Sequence, residues 1–233
     1  MKILNNLYKY LGDVLIKTFI LFAVLIIPLT AVALKFKYDS VAYGWFMVAF
    51  IFILSIERTW ETFYSFQEKR KHKLYGDWTL AVVSVAYILL IFTTLFEFFV
   101  FPVTLNITLS LYGLFLFIAG FLLRLSGIKT LNHQWTVHAV GASKIKDIYI
   151  VKSGPYKYMR HPIYLGVILE VLSIPLIWNA YLAFFIALAL NVPLQIIRAY
   201  LEEKTSLRRF GADFTRYLKE TPAFFPYRIT KRK

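Results

Sequence analysis

The sequence from Gly154 to Ile197 reads GPYKYMRHPIYLGVILEVLSIPLIWNAYLAFFIALALNVPLQII. It opens with a short stretch rich in proline and basic residues, and two long apolar runs follow, Ile163–Ile177 and Tyr181–Ile197. Only Trp178-Asn179-Ala180 separates the two runs, which predicts a tight helical hairpin with Trp178 at a membrane interface. A basic anchor would need only Lys and Arg, so the turn-forming residues before the hairpin indicate more than an anchor.

Apolar runs of this length recur along the chain, in which 59% of the 233 residues are hydrophobic. A soluble domain lacks repeated spans of about 20 apolar residues. The runs do not alternate as barrel strands do, so helices are expected. We therefore predict an all-α fold, a polytopic membrane helix bundle of about six spans. The predicted spans are Val14–Leu34, Val41–Ile56, Thr79–Phe101, Ile107–Leu125, Ile163–Ile177 and Tyr181–Ile197.

The basic residues predict how this bundle is oriented. Of the 27 Lys and Arg residues, only Lys35 and Lys37 fall on one side of the six-span arrangement, when Arg124 is counted with the loop that follows it. The positive-inside rule then places both termini in the cytoplasm. The formal net charge of +14 indicates this topology and contact with an anionic membrane surface, rather than nucleic-acid binding.

The loop 126–161 is long, and long loops in compact proteins are usually functional or disordered. Its content of aromatic and branched apolar residues, Trp135 among them, argues against disorder. We expect it to fold against the cytoplasmic face as a lid or pocket wall. The chain is accordingly divided into residues 1–125, which are membrane helices without a motif, and residues 126–233, which carry the motifs.

One group of candidate site residues lies where this loop enters the first helix of the hairpin. Pro162 suits the first turn of a helix, and His161 then occupies the cap position. A helix N-terminus favours an anionic or carboxylate-bearing ligand. In the purely structural alternative, Arg160 extends towards the interface, His161 caps the helix and Pro162 begins it.

A second group follows the hairpin. Arg198 and Glu202 are four residues apart, so they share one face of a helix. Because the hairpin is short, they return to the same depth as Arg160 and His161. A ligand with both an ammonium and a carboxylate would suit such a site, since the carboxylate binds a cation and the arginines bind an anion. A surface ion pair of little consequence is the alternative.

The segments VKSGPYKYMRHPIYLG and RAYLEE, the latter followed by RFGADFTRYLKETPAFFP, resemble the isoprenylcysteine carboxyl methyltransferase and phospholipid methyltransferase group. The upstream GIKTLNHQWTVHAV is also similar, so the likeness runs from Gly127 to Pro226. The resemblance implies a membrane methyltransferase that uses S-adenosylmethionine, held in a cytoplasmic pocket formed by the long loop and the C-terminal helices. It also implies a lipid-like or prenylated acceptor that enters from the bilayer.

The resemblance assigns roles to individual residues. Glu202 would bind the methionine ammonium, and Arg160 and Arg198 would act catalytically by facing the methyl acceptor. Gly141 stands where the eukaryotic prenylcysteine enzymes have a glutamine contact, and their longer glutamate run is reduced here to Leu201-Glu202-Glu203. These differences leave the cofactor expectation intact but weaken the case for a prenylcysteine substrate. O-methylation of a carboxylate is favoured, while N- or S-methylation stays open. The implied cofactor-binding residues are Ile148, Tyr149, Ile150, Val151, Tyr156, His161, Pro162, Ile163, Tyr164 and Glu202.

Other functions and sites remain as alternatives. A sterol-reductase-like enzyme that uses NADPH has a similar arginine–histidine stretch, although no phosphate-binding glycine loop is visible. A non-catalytic membrane scaffold is the other alternative, and it explains neither motif.

No metal site is predicted, because His133 and His138 have neither cysteine nor acidic neighbours. Glu97 is expected near the far interface rather than on a substrate path. The oligomeric state is left open.

Overall fold

The computed structural model describes residue 50 and the ranges 78–101, 106–135 and 149–225. The chain divides into two compact units, Met1–Gln67 and Glu68–Lys233. Of the first unit, Phe50 is described, a buried helical residue. The predicted spans Val14–Leu34 and Val41–Ile56 otherwise lie outside the described residues. The fold below is that of the second unit.

All regular secondary structure in the described part of the second unit is helical. Two long helices come first, α1 at Trp78–Val100 and α2 at Ile107–Leu131. Asn106 begins α2, because its side chain accepts a hydrogen bond from the amide of Leu109. The predicted span at Thr79–Phe101 matches α1 within one residue at each end, whereas α2 continues six residues beyond its predicted end at Leu125.

The hairpin and the C-terminal helices follow. Helix α3 covers Pro162–Ile177, α4 covers Tyr181–Ile186, and a π-helical turn at Ala187–Asn191 joins α4 directly to α5 at Val192–Phe210. The last helix, α6, covers Ala212–Glu220. Two short 3₁₀ turns lie before the hairpin, at Asn132–Gln134 and Gly154–Lys157. The first hairpin helix matches its prediction, and the second runs 13 residues further, to Phe210.

Helices α2 and α3 lie in close contact at two glycines. A Cβ atom on Gly120 would lie 2.7 Å from the carbonyl oxygen of Gly166, and a Cβ on Gly166 would lie equally close to the oxygen of Gly120. Small residues at a crossing let two membrane helices bring their backbones together. This contact holds α3 against α2, and it thereby also positions the segment of the loop that leads into α3.

An ion pair lies buried beside this crossing. The Nε atom of Arg124 on α2 lies 2.9 Å from Oε1 of Glu170 on α3, and these side chains are 1% and 0% exposed. Arg124 was counted with the cytoplasmic loop when the topology was predicted, and that placement is wrong. The arginine is an interior residue of α2. Its charge is tolerated within the bundle because Glu170 compensates it.

The outer surface of α1, α2 and α4 is mainly apolar, and several polar groups are inside. On α2, Leu111, Phe115, Ile118 and Leu122 form an exposed stripe at helical spacing, whereas Ser110 and Arg124 are buried. Within the described ranges, three helical segments are long and apolar enough to cross a membrane, Ala81–Phe98, Ile107–Leu131 and Tyr181–Phe210, and Pro162–Ile177 is a shorter apolar helix. The chain is an integral membrane protein.

The turn of the hairpin is held by buried polar contacts. Asn179 adopts a positive φ of 55° and donates from Nδ2 to Ser110 Oγ at 2.8 Å. Glu97 is buried at the end of α1, where its carboxylate accepts hydrogen bonds from the amides of Leu182 and Ala183, so it caps α4. Trp178 does not face an interface as predicted. It is 3% exposed, and its ring meets that of Phe98 edge-on.

Candidate active site

The cavity of interest has a volume of about 190 Å³ and lies where the ends of α2 and α5, the start of α3, and α6 meet. The segment 149–151 and the 3₁₀ turn at Gly154–Lys157 close it from the loop side. Its lining residues are Leu131, Gln134, Trp135, Tyr149, Ile150, Val151, Tyr156, Arg160, His161, Ile163, Tyr164, Glu202, Glu203, Thr205, Ser206, Arg209, Phe210, Phe214 and Tyr217.

The loop-side wall is fastened by polar contacts. The amide of Tyr149 donates to Gln134 Oε1 at 2.9 Å, which ties the segment 149–151 to the end of α2. Further on, Gly154 has a φ of +54°, and a Cβ there would lie 2.6 Å from Thr130 Oγ1. A glycine is required at this turn, since a side chain would be strained and would collide with α2.

Tyr156 is a buried, neutral hydrogen-bonding group in this wall. Burial raises the pKa of its hydroxyl well above the ordinary value of 10.0, and the negative charge of Glu202 raises it further. Its backbone carbonyl accepts a hydrogen bond of 2.8 Å from the hydroxyl of Tyr217 on α6. The hydroxyl of Tyr156 therefore stays protonated at physiological pH, and α6 is fixed against the loop.

Arg198, Glu202 and Tyr164 come together at the boundary of the cavity. Arg198 and Glu202 lie one turn apart on α5, and the hydroxyl of Tyr164 on α3 is within hydrogen-bonding reach of both. Glu202 and Tyr164 line the cavity, while Arg198 lies beside them, 5% exposed. A carboxylate and a guanidinium thus lie close to one tyrosine hydroxyl at the edge of the cavity.

Glu203 joins Arg160 and His161 on a neighbouring side of the cavity. Its Oε1 lies 2.8 Å from Arg160 Nε and 2.8 Å from His161 Nε2. Arg160 also donates from Nη1 to the carbonyls of Leu218 and Thr221. We call these three residues, Arg160, His161 and Glu203, the clamp, because they connect α3, α5 and the end of α6.

The clamp continues through the backbone. The amides of Arg160 and His161 donate to the carbonyls of Pro222 and Ala223, at 2.9 and 3.0 Å. The segment after α6 is therefore fixed against the start of α3 and helps to enclose the cavity. His161 occupies the cap position of α3 as predicted, but its side chain makes no cap hydrogen bond and contacts Glu203 instead.

The structure brings most of the predicted site residues to one cavity. Pro162 does not line it, because it is buried as the first residue of α3, and Ile148 lies outside the described residues. Arg198 is adjacent rather than lining. The predicted residues that do line the cavity are Tyr149, Ile150, Val151, Tyr156, Arg160, His161, Ile163, Tyr164 and Glu202.

Sequence reasoning missed several lining residues, chiefly Gln134, Glu203 and the aromatic residues of α5 and α6. Glu203 belongs to the motif RAYLEE, but the sequence indicated no role for it. Adjacent residues on a helix project about 100° apart, and this spacing could have indicated that the two carboxylates serve different neighbours. The hydrophobic spacing of Phe210, Phe214 and Tyr217 was a signal for one apolar face towards the cavity.

Comparison with known proteins bears on this site. Residues 111–208 match the sequence model of the isoprenylcysteine carboxyl methyltransferase (ICMT) family. This confirms, over those residues, the resemblance seen in the motifs. The matched range contains every predicted site residue and ends before α6, which supplies Phe214 and Tyr217 to the cavity.

Two curated relatives and one solved structure are similar to the chain. It is 40% identical over 76 residues to the uncharacterized protein YpbQ of Bacillus subtilis, covering 30% of this chain and 45% of that protein. It is 32% identical over 99 residues to the cobalt-zinc-cadmium resistance protein CzcN of Cupriavidus metallidurans, covering 42% of this chain and 44% of that protein. The chain therefore spans less than half the length of these relatives.

The structural similarity extends over nearly the whole chain. The eukaryotic intramembrane Ras methyltransferase ICMT (isoprenylcysteine carboxyl methyltransferase) superposes with a TM-score of 0.58 at 20% sequence identity. The superposition covers 97% of this chain and 86% of that one. At this identity the likeness establishes a shared fold.

Proposed function

We propose that this chain, in which residues 111–208 match the isoprenylcysteine carboxyl methyltransferase family, is a membrane methyltransferase that uses S-adenosylmethionine. The observation that carries the proposal is the meeting of Glu202, Tyr164 and Arg198 at a cavity built from the matched segment. A carboxylate in such a cavity suits a ligand ammonium, and a neighbouring guanidinium suits a ligand carboxylate or an anionic head.

The lining residues suit the cofactor in charge and polarity. Glu202 would bind the ammonium of the methionine part, and neutral Tyr156 would contribute a hydroxyl that keeps its proton. Apolar and aromatic side chains would enclose the nucleoside part, as is usual for small-molecule sites. The cofactor-binding residues proposed are Ile148, Tyr149, Ile150, Val151, Tyr156, His161, Ile163, Tyr164 and Glu202. Pro162, which the sequence also suggested, would act only by starting α3, since it does not line the cavity.

The methyl group of S-adenosylmethionine is already activated by its sulfonium. The chain must mainly align an acceptor and exclude water. Arg198, nearly buried beside Glu202, would orient the acceptor head. Arg160 is the second acceptor-facing candidate, since within the described residues its Nε and Nη1 form the hydrogen bonds of the clamp and its Nη2 forms none.

We infer that the acceptor is a membrane lipid or a prenylated small molecule. The apolar surfaces of α2 and α5 give such a molecule access from the bilayer, and a carboxylate acceptor would need orientation but no general base. O-methylation of a carboxylate is thus favoured over N- or S-methylation. The acceptor head would meet the arginines at the depth where the hairpin returns to the cavity.

The proposed topology places the cavity and both termini on the cytoplasmic side, against an anionic membrane surface. The distribution of Lys and Arg supports this orientation even without Arg124, because Lys35 and Lys37 remain the only basic residues assigned to the other side. In this proposal, residues 126–233 form the methyl-transfer core, and residues 1–125 complete a bundle of about six spans.

Calorimetric titration of the purified protein with S-adenosylhomocysteine tests the proposal. We expect saturable binding to the full chain in detergent or nanodiscs, with NADPH showing none. Binding of NADPH without binding of S-adenosylhomocysteine would favour a sterol-reductase-like enzyme, and binding of neither would favour a scaffold. The family match and the absence of a phosphate-binding glycine loop in the sequence both favour the methyltransferase over these alternatives.

A further inference from the structure

Gln134 occupies the end of the 3₁₀ turn that follows α2, and it lines the cavity. Its side chain is almost fully enclosed, since the residue is 8% exposed. Its Oε1 accepts the hydrogen bond from the amide of Tyr149, at 2.9 Å. Because that donor is a backbone N–H, the oxygen of the amide must face Tyr149, and the orientation of the side-chain amide is determined.

The other half of this amide is unsatisfied. Gln134 Nε2 is buried and has no hydrogen-bond partner within the part of the chain that the structure describes. A buried donor without an acceptor is unfavourable, so such a group in a cavity wall is usually completed by a ligand or an ordered water. The residue carries two donors and is held in place through its oxygen, which suits it to contact a ligand.

The surroundings indicate which kind of acceptor it contacts. The charged side chains and the histidine of the lining belong to the start of α3 and to α5, namely Arg160, His161, Glu202, Glu203 and Arg209. The two segments that the Gln134–Tyr149 contact joins contribute only neutral groups to the lining, among them Leu131, Trp135 and Ile150. A neutral donor in this wall matches an uncharged acceptor with a flat apolar surface. Within S-adenosylmethionine, the adenine ring has this chemistry, since N1, N3 and N7 are acceptors.

We propose that Gln134 is a cofactor-binding residue that donates from Nε2 to a ring nitrogen of the adenine base. The inference rests on the proposed function and adds to it a residue that selects the base. The side-chain amide of Gln134 would then have two roles. Its Oε1 holds the segment 149–151 through Tyr149, and its Nε2 contacts the ligand. Ligand binding and the position of the segment 149–151 are thereby linked through one side chain.

The test compares S-adenosylhomocysteine with its 1-deaza, 3-deaza and 7-deaza analogues, in which one ring nitrogen is replaced by CH. Calorimetry is carried out on the wild type and on Gln134→Glu, which keeps an oxygen for the Tyr149 amide and removes the donor. We expect one analogue to bind the wild type about 5–20-fold more weakly than the parent. The variant should bind that analogue and the parent with nearly equal affinity.

The outcomes separate this inference from the proposed function. If the wild type binds the parent and all three analogues equally well, Gln134 does not read a ring nitrogen and the inference is rejected alone. If Gln134→Glu weakens all four ligands by the same factor, the preference for one ring nitrogen does not depend on the Gln134 donor, which also rejects the inference. If the wild type binds no S-adenosylhomocysteine, the proposed function fails and the inference fails with it. Should the variant not fold, the wild-type analogue series decides by itself.

Discussion

Arg124 and Glu170, 46 residues apart in the chain, form an ion pair whose Nε and Oε1 atoms lie 2.9 Å apart in the interior of the bundle. Neither residue lines the cavity. Removing one partner of a buried pair leaves an uncompensated charge, which costs far more than the pair contributes as a whole. The pair therefore links α2 to α3, and substitution of either residue alone should lower the stability of the protein.

Glu170→Gln is expected to lower the free energy of unfolding by about 3–5 kcal/mol, because the guanidinium of Arg124 then stays buried without a counter-charge. Chemical denaturation in detergent measures the change. The matched control is Glu220→Gln, which breaks the half-exposed pair with Lys152, at 3.6 Å, and should change stability by about 0–1 kcal/mol. Equal effects of the two substitutions would contradict the structural role of Arg124 and Glu170. The double variant Arg124→Met, Glu170→Met should recover most of the loss.

The glycine crossing gives a second prediction. Gly166→Ala places a Cβ 2.7 Å from the oxygen of Gly120 and 2.9 Å from the Cβ of Arg124. Since both contacts involve groups that cannot rotate away, α2 and α3 must separate, and we expect a loss of about 1–3 kcal/mol in stability. Ser126→Ala, on the exposed side of α2, is the control and should be nearly neutral. A stabilised Gly166→Ala protein would show that the helices cross elsewhere.

These two contacts also show what the sequence could and could not predict. The apolar runs predicted α1, α3 and the hairpin turn well, because hydrophobic length alone determines where a membrane helix can lie. The end of α2 was placed six residues early, at Leu125, because Arg124 looked like the edge of a span. Only the fold reveals that Glu170 lies opposite, since pairing between distant residues leaves no local pattern.

In the candidate site, too, contacts between residues distant in the chain could not be predicted from the sequence. The four-residue spacing of Arg198 and Glu202 predicted a shared helix face, and the short hairpin predicted that they return near His161. The closeness of the Tyr164 hydroxyl to Arg198 and Glu202 was not predicted. Nor was the part played by α6 and the segment after it, because the contacts of Arg160 with Leu218 and Thr221 depend on how the chain turns at Gly211.

Glu202 and Glu203 are adjacent, and we expect substitution at the first to affect cofactor affinity and substitution at the second to affect stability. Glu202→Gln removes the charge proposed to face the cofactor ammonium, so affinity for S-adenosylhomocysteine should fall about 10–100-fold while the free protein keeps its stability. Glu203→Gln removes the charge that Arg160 and His161 share in the clamp. It should lower stability and expose the segment after α6 to limited proteolysis. Calorimetry and proteolysis together distinguish the two, and an unchanged affinity in Glu202→Gln would reject the ammonium assignment.

The topology can be tested directly, because the chain has no native cysteine. Single cysteines at Lys157 and Lys219, which are exposed, should react with a membrane-impermeant maleimide only in inverted vesicles. One at Thr108, exposed in the first turn of α2, should react only in intact cells, because α2 crosses from the far side. Labelling of Lys157→Cys in intact cells would overturn the cytoplasmic placement of the cavity.

Arg198 is expected to act on the acceptor rather than on the cofactor. Arg198→Lys keeps the positive charge beside Glu202 but cannot reproduce a planar two-point contact with an anionic head. Methyl transfer should therefore fall about 10–100-fold, while affinity for S-adenosylhomocysteine stays nearly constant. Arg209→Lys, at an exposed arginine of the same cavity, is the control and should retain most of the activity.

The assay follows a tritiated methyl group into total lipid extract, and base treatment of the organic phase releases the label if the product is a methyl ester. Stable label would indicate an N- or S-methyl product. If Arg198→Lys leaves turnover unchanged, the residue serves only its contacts with Glu202 and Tyr164, and if all label stays in water-soluble material, the acceptor is not a membrane amphiphile.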